Sequence, residues 1–307
     1  MGQLLDAALF SSMLRVVTPI LLAALGGALC SRVGLFNVAL EGFVLMGAFS
    51  GIVGNYLFGN VWLAVLFAVL CVMLFSLIFG YISINLKANV IVVGISLNFL
   101  AAGLTTFLLR AIFDVKGAYY DNNMVGLPKW DIPFIKDIPW LGDVISGQSP
   151  LVYIGLILVF VLQFFLFKTI AGFRLRSVGE NPVAAQSIGI KVRKHQYSAV
   201  LACGVLCGLA GAQLSLGQVT MFTEGMTAGR GFIALVATML GQASPIGVMA
   251  SSMLFGFMDA VGIRLQGFSM PSHFTQMLPY IVTLIAMFFF KDRSYLEDAH
   301  KAGGSSR

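Results

Sequence analysis

Charged side chains are scarce in this sequence. Lys, Arg, Asp and Glu make up 10% of its 307 residues, against about 25% in soluble domains. With 58% hydrophobic residues and a mean hydropathy of +0.92, there is more apolar surface than a water-soluble core could hide. A soluble fold is excluded. The four cysteines, Cys30, Cys71, Cys203 and Cys207, lie in or at the ends of apolar runs, which speaks against a disulfide framework. Cys203 and Cys207 share a helix face, but the three histidines, His195, His273 and His300, are distant in sequence, so no metal site is expected. The N-terminus carries no basic n-region, so no cleavable signal peptide is expected. No G-x-x-x-x-G-K-[ST] occurs, which excludes a phosphate-cradling loop and ATP hydrolysis by this chain. Nucleophile and acid–base constellations are missing too. The chain is expected to be no enzyme and to bind no cofactor. Its net charge of +6 does not point to nucleic acid, because the bases concentrate in a few loops, as in membrane proteins.

What the sequence has in plenty is long apolar runs. A hydrocarbon core about 30 Å thick takes roughly 20 helical residues. Runs of that size cover about 9–30, 37–58, 61–84, 90–110, 150–168, 197–217, 246–264 and 274–290. Residues 229–242 are apolar but short and flanked by glycine, as in a half-span or re-entrant helix. The fold expected is all-α: one polytopic membrane domain over residues 1–307, with about 8–10 transmembrane helices. The 34 glycines fit close packing of membrane helices, and Gly204, Gly208 and Gly211 read as one packing face.

Charge sets the expected sidedness. The stretch Lys168 to His195 holds Lys168, Arg174, Arg176, Lys191, Arg193 and Lys194 against one acid, Glu180. This loop, about 169–196, and the tail 291–307 are expected in the cytoplasm. The loop of about 111–149 carries five aspartates, three lysines and no arginine, with Trp130 and Trp140, and is expected to face outward. Counting back through four spans places Arg32 and Lys87 inside and the N-terminus outside, with Arg15 within the first span. The segments "GLFNVALEGFVLMGA" (34–48) and "GRGFIALVATMLGQA" (229–243) echo one another, and transporters are often built from such repeats.

Within the basic loop, "GENPVAAQSIGIKVRK" (179–194) is a punctuated helix. Asn181 suits the N-cap, Pro182 the first helical position, and Gly189 the close. So short a helix is unstable alone in water, so something packs on it. With Ala184 and Ala185 on its surface, a partner backbone could come close. A helix lying on anionic headgroups is the other reading.

These residues resemble a family. "GENPVAAQSIGIKVRKHQ" (179–196) is similar to the cytoplasmic coupling loop of ABC importer permeases for branched-chain amino acids, simple sugars and nucleosides. "GLFNVALEGFVLMGAF" (34–49), "GMTAGRGFIALVATMLGQASPIG" (225–247) and "MLPYIVTLIAMFF" (277–289) resemble further family segments in the same order. The wording M-T-A-G-R-G-F and L-P-Y is most similar to the nucleoside branch. In one departure, Arg32 follows Ser31 where that branch usually has Ser-Glu. The resemblance implies a multi-pass permease of the bacterial inner membrane that forms the pathway for a nucleoside. It implies an extracytoplasmic binding protein, a second permease subunit that is a paralogue, and a separate ATPase that uses ATP and Mg. Gly179, Glu180, Asn181, Pro182, Ala184, Ala185 and Gly189 then couple the chain to that ATPase, and the outward loop is either a dock for the binding protein or a lid. A simple sugar or a riboflavin-like vitamin is the alternative cargo. A gradient-driven transporter and a scaffold subunit without a pore are the other classes.

Polar residues inside spans usually face a cavity. Asn37 and Glu41 are four apart, on one helix face; Asn98, Gln213 and Asp259 are the other deep candidates. The amides read either as pathway groups or as interhelical hydrogen bonds. Glu41 suits an ion pair with Arg32 or Arg15, Asp259 one with Arg264 at an outer helix end. Phe222 reads as a base-stacking residue or an interface anchor.

Overall fold

The computed structural model describes residues 7–121, 124–131, 142, 144 and 146–266. The expected span 274–290, with its 277–289 motif, and the tail 291–307 lie outside these residues. Ten helices are described below. They are α1 (Ala7–Ser31), α2 (Leu40–Phe58), α3 (Val61–Gly80, continued by a π-helical turn Tyr81–Asn85) and α4 (Val90–Phe113). After the loop come α5 (Pro150–Lys168), α6 (Ile170–Glu180), α7 (Pro182–Ser187) and α8 (Val192–Ala212, continued by a π-helical segment Gln213–Val219). Then follow α9 (Arg230–Leu240) and α10 (Pro245–Gln266). Two short strands, β1 (Ala118–Tyr119) and β2 (Phe222–Thr223), pair antiparallel and tie the 111–149 loop to the end of α8.

Helix starts follow local chemistry. The Asn60 side chain accepts from the Trp62 N–H at the head of α3, and Asn89 accepts from Ile91 and Val92 at the head of α4. Among the described residues, α1, α2, α3, α4, α5, α8 and α10 are long and apolar enough to cross a membrane. These seven match the first seven expected spans. With 11 residues, α9 is only about 17 Å long, so it is the half-length helix the short apolar run promised.

The helices sort into a centre and a shell. The apolar windows of α1, α2 and α8 are 78–83% buried, while those of α3, α4, α5 and α10 are 28–39% buried. The shell helices turn stripes such as Leu63, Leu66, Leu70 and Leu74 outward, which suits lipid or another subunit. Glycines bring the centre together. A Cβ on Gly208 would stand 2.7 Å from Val69 Cα of α3, and one on Gly211 would meet the backbone of Val44 and Ala48 on α2. The α8 glycines thus serve two neighbours rather than one. Gly211→Ala is expected to cost about 1–3 kcal/mol through overpacking, read as a lower melting temperature in detergent. An unchanged melting temperature would mean the helices have room to spare.

The bases of the 168–194 stretch gather at one end of the bundle with Arg32 and Lys87. Arg32 and Arg176 line one cavity there, and Lys87, Lys191 and Arg193 another. At the opposite end Gln148 Nε2 donates to the Ser11 carbonyl and hydroxyl oxygens, which places the start of α1 beside the 111–149 loop. Arg15 lies within α1, and its carbonyl accepts from Gln218 Nε2.

One expected span is shorter than its apolar run. Residues 35–38 are not helical, and α2 begins only at Leu40. Asn37 accepts the Ala39 N–H, a local side-chain bond that competes with helix formation. Asn37 therefore does not share a helix face with Glu41. The echo between 34–48 and 229–243 ends at its glycines too. Gly34 and Gly229 both have positive φ, 79° and 82°, but helix follows at once only after Gly229.

Candidate functional site

The 35–38 segment carries irregular backbone into the bundle interior. Asn37 Nδ2 reaches the sulfur of Cys203, 3.4 Å away; Cys203 lies three turns inside α8. Backbone of this kind survives at membrane depth only when protein groups satisfy it. Asn98 of α4 supplies two bonds: its Oδ1 accepts the Gly42 N–H (2.8 Å) and its Nδ2 donates to the Val38 carbonyl (3.0 Å). Both amide ends are engaged, so of its two readings Asn98 takes the interhelical one. A Cβ on Gly42 would stand 3.0 Å from Asn98 Cα, so any larger residue here would have to push α4 back by a few tenths of an ångström. Asn98→Ala is expected to cost about 2–6 kcal/mol, as two backbone groups lose their partners. A detergent melting curve like that of the wild type would remove this role.

Glu41 closes the other side of the same turn. One carboxylate oxygen accepts from Thr227 Oγ1 (2.6 Å) and the Gly229 N–H (2.9 Å), the other from the Gly231 N–H (2.6 Å). The first N–H groups of a helix have no partner within it, and an acid there is favoured by the helix dipole. Glu41 is thus the N-terminal cap of α9, donated from another helix. The expected ion pair with Arg32 or Arg15 is not formed. Instead Arg32 lies at the other end of α9, donating to the carbonyls of Gln242 (2.9 Å) and Ala243 (2.8 Å). A carboxylate at the N-terminus and a guanidinium past the C-terminus hold this half-helix between them. Asp259, expected beside Arg264, lies 3.8 Å from Arg230 in the first turn of α9.

The remaining candidates lie elsewhere. Gln213 is fully buried where α8 turns π-helical, and its Oε1 accepts from Ser149 Oγ at 2.7 Å. Its Nε2 has no partner among the described residues. Phe222 is also fully buried, packed edge-on against Phe49 with ring centroids 5.2 Å apart. It can neither stack on a passing base nor anchor at an interface, because the β1–β2 pairing turns it into the core. Only Asn37, Glu41 and Asn98 come together, around the first turn of α2.

The basic loop folds as the punctuation asked. Asn181 Oδ1 accepts from Val183 and Ala184, Pro182 opens α7, and Gly189 has φ +84°. The orientation differs from the expectation in one residue. Ala184 is exposed, but Ala185 is 3% exposed and belongs to the core cluster that holds Leu35, Ile84 and Val178. A helix this short has one face for the bundle, and Ala185 is on it. The outward face is Val183 and Ile188, each 73% exposed, with Ala184 and Ser187. Gly179 also faces inward, where a Cβ would meet the Arg32 carbonyl. Glu180 and Arg176 line a cavity of about 420 Å³ with Arg32, Phe36 and Gln242. Burial, and then the like charge of Arg176, pull the Arg32 pKa down, while Glu180 opposes them. Thr227, Gly229, Gly231 and Arg230 were missed as functional partners. The only sequence signal for them was the Thr-Ala-Gly-Arg-Gly run itself.

The family model for the branched-chain amino acid transport system permease component matches residues 9–287. The nucleoside ABC transporter permease protein NupC of Lactococcus lactis is 38% identical over 305 residues, covering 96% of this chain and 94% of that protein. The guanosine ABC transporter permease protein NupQ of Bacillus subtilis is 37% identical over 297 residues, covering 93% and 92%. A second guanosine permease protein of Bacillus subtilis, NupP, is 26% identical over 288 residues, covering 90% and 79%.

Proposed function

Because this chain belongs to the branched-chain amino acid transport system permease component family, we propose that it forms the membrane pathway of an ATP-driven nucleoside importer together with a second permease subunit. The observation that carries the cargo class is the 38% identity to a nucleoside permease protein along nearly the whole of both chains. The occurrence of two different guanosine permease proteins in one organism, NupQ and NupP, favours a paralogue as the second subunit. In this reading the basic end of the bundle is cytoplasmic, a separate ATPase with its ATP and Mg grips α7, and the 111–149 loop receives an extracytoplasmic binding protein.

The coupling route follows the packing. Val183 and Ile188 are large aliphatic residues exposed at the basic end, a surface that suits an apolar socket on the ATPase. A push on α7 bears on the bundle core through Ala185, at a cavity that Pro182 and Gln186 share with Leu35 and Ile84, and on the Arg32 backbone through Gly179. Both routes lead to the non-helical segment before α2. From there Glu41 and Arg32 carry the displacement to the two ends of α9. Asn37 and Asn98 hold the hinge together, so the pathway itself is assigned to the face this chain turns to its paralogue.

The test is uptake into vesicles holding the assembled transporter. Guanosine uptake is expected to need internal ATP and to ignore proton and sodium ionophores. Uptake that persists without ATP and collapses with ionophores would overturn the energetics. A cognate binding protein that captures a simple sugar or riboflavin instead of a nucleoside would overturn the cargo.

A further inference from the structure

A groove of about 600 Å³ runs between α6 and the start of α8, and it mixes two chemistries. Ile170, Phe173 and Ile188 line it, and so do Arg174, Lys191 and Lys194; no Asp or Glu is among its lining residues. The three bases have no acidic partner among the described residues. Ile170 is 74% exposed and Phe173 61%. Leaving such side chains in water forgoes about 1.5–3 kcal/mol each, while sinking them in hydrocarbon would strand the bases beside them.

Depth resolves the conflict. The α5 span ends at Lys168, and Thr169 caps α6 by accepting the Gly172 N–H. Ile170 and Phe173 therefore lie within the first few residues past the end of a span, and Lys191 and Lys194 sit at the foot of α8. This is the level at which acyl chains give way to headgroups. The occupant that satisfies both halves of the groove is apolar at one end and anionic at the other.

We propose that this groove binds an anionic phospholipid of the leaflet at the basic end of the bundle. The phosphate is held by Arg174, Lys191 and Lys194, and an acyl chain covers Ile170 and Phe173. Juxtamembrane bases near an anionic surface each contribute measurably to such binding. Ile188 lines the groove and also borders the outward face of α7, whereas Val183 and Ala184 lie outside the groove, so a bound lipid flanks the ATPase contact and leaves Val183 free for it. A lipid wedged between α6 and α8 fixes the two ends of the basic loop against the bilayer. Displacement of α7 then tilts the bundle instead of sliding the loop. The site depends on the chain's place in the membrane and not on its cargo, so a failed nucleoside assay leaves it standing.

The experiment uses the assembled transporter in nanodiscs of equal parts phosphatidylglycerol and phosphatidylcholine, released into detergent and weighed by native mass spectrometry. Wild type is expected to retain phosphatidylglycerol in preference to phosphatidylcholine. The double variant Arg174→Gln/Lys194→Gln should lower that retention about thirtyfold, and Lys194→Gln alone about fivefold. Lys194 is exposed, so the single variant reports on the site even where the double variant assembles poorly. Phe173→Ser should also reduce retention while leaving the bases in place. No preference for phosphatidylglycerol in wild type, or equal retention in wild type and Lys194→Gln, overturns the proposal. So does a double variant that sheds the ATPase yet keeps its lipid, since the groove would then be a protein contact.

Discussion

Glu41→Ala is expected to abolish uptake and to lower the melting temperature of the assembled transporter. The carboxylate accepts three hydrogen bonds, from Thr227, Gly229 and Gly231. Two of the donors are backbone N–H groups at the start of α9, which have no partner within the helix. Leaving them unpaired costs about 1–3 kcal/mol each, hence roughly 2–6 kcal/mol together. The cost falls on the one helix whose position the mechanism uses. Glu41→Gln separates charge from geometry. It keeps an oxygen for Thr227 and Gly229 but turns an NH₂ against the Gly231 N–H, so its effect should be intermediate. Uptake in ATP-supplied proteoliposomes and melting in detergent are the two readouts. Wild-type uptake by Glu41→Ala would sink the assignment of Glu41 as the latch of α9.

The second large effect separates the two faces of α7. Val183→Asp places a charge on an exposed side chain, so membrane insertion and melting should stay as in wild type. Transport should fall tenfold or more, the size of a lost interface anchor, with ATP hydrolysis no longer tied to uptake. Ala185→Glu should behave differently. Ala185 is 3% exposed, in the cluster with Leu35, Ile84 and Val178, and a carboxylate there is desolvated without a partner. The variant should melt lower because α7 comes off the bundle. Suppose instead that Ala185→Glu uncoupled at an unchanged melting temperature and Val183→Asp transported normally. The orientation of α7 would then be the reverse of that described.

Much of the fold was legible because its signals are local. Apolar length marks a span wherever the chain runs through hydrocarbon, so α1, α3, α4, α5, α8 and α10 were visible as runs. The α7 helix was visible from Asn181, Pro182 and Gly189, since a cap, a fixed φ and a left-handed glycine are properties of single residues. Part of the candidate site was visible only as a list of polar residues within apolar runs. Asn98, Glu41 and Gln213 stood out by polarity, but their partners lie 56, 186 to 190 and 64 residues away. No local pattern specifies such distant pairings. Phe222 failed for the same reason: an aromatic after a span looks like an anchor until a two-residue strand pairing turns it inward.

Residue order alone established that the chain is a multi-pass, helical membrane protein, which of its loops is basic, and which short helix stands in that loop. Each follows from composition, or from residues within a turn or two of one another. Three features came from the packing of the bundle: residues 35–38 enter it unwound, Glu41 caps α9 while Arg32 holds its far end, and Ala185 faces the core instead of a partner. In the membrane interior every backbone group left outside a helix must find a protein partner, and the chain finds those partners on helices that meet only once the whole bundle is assembled.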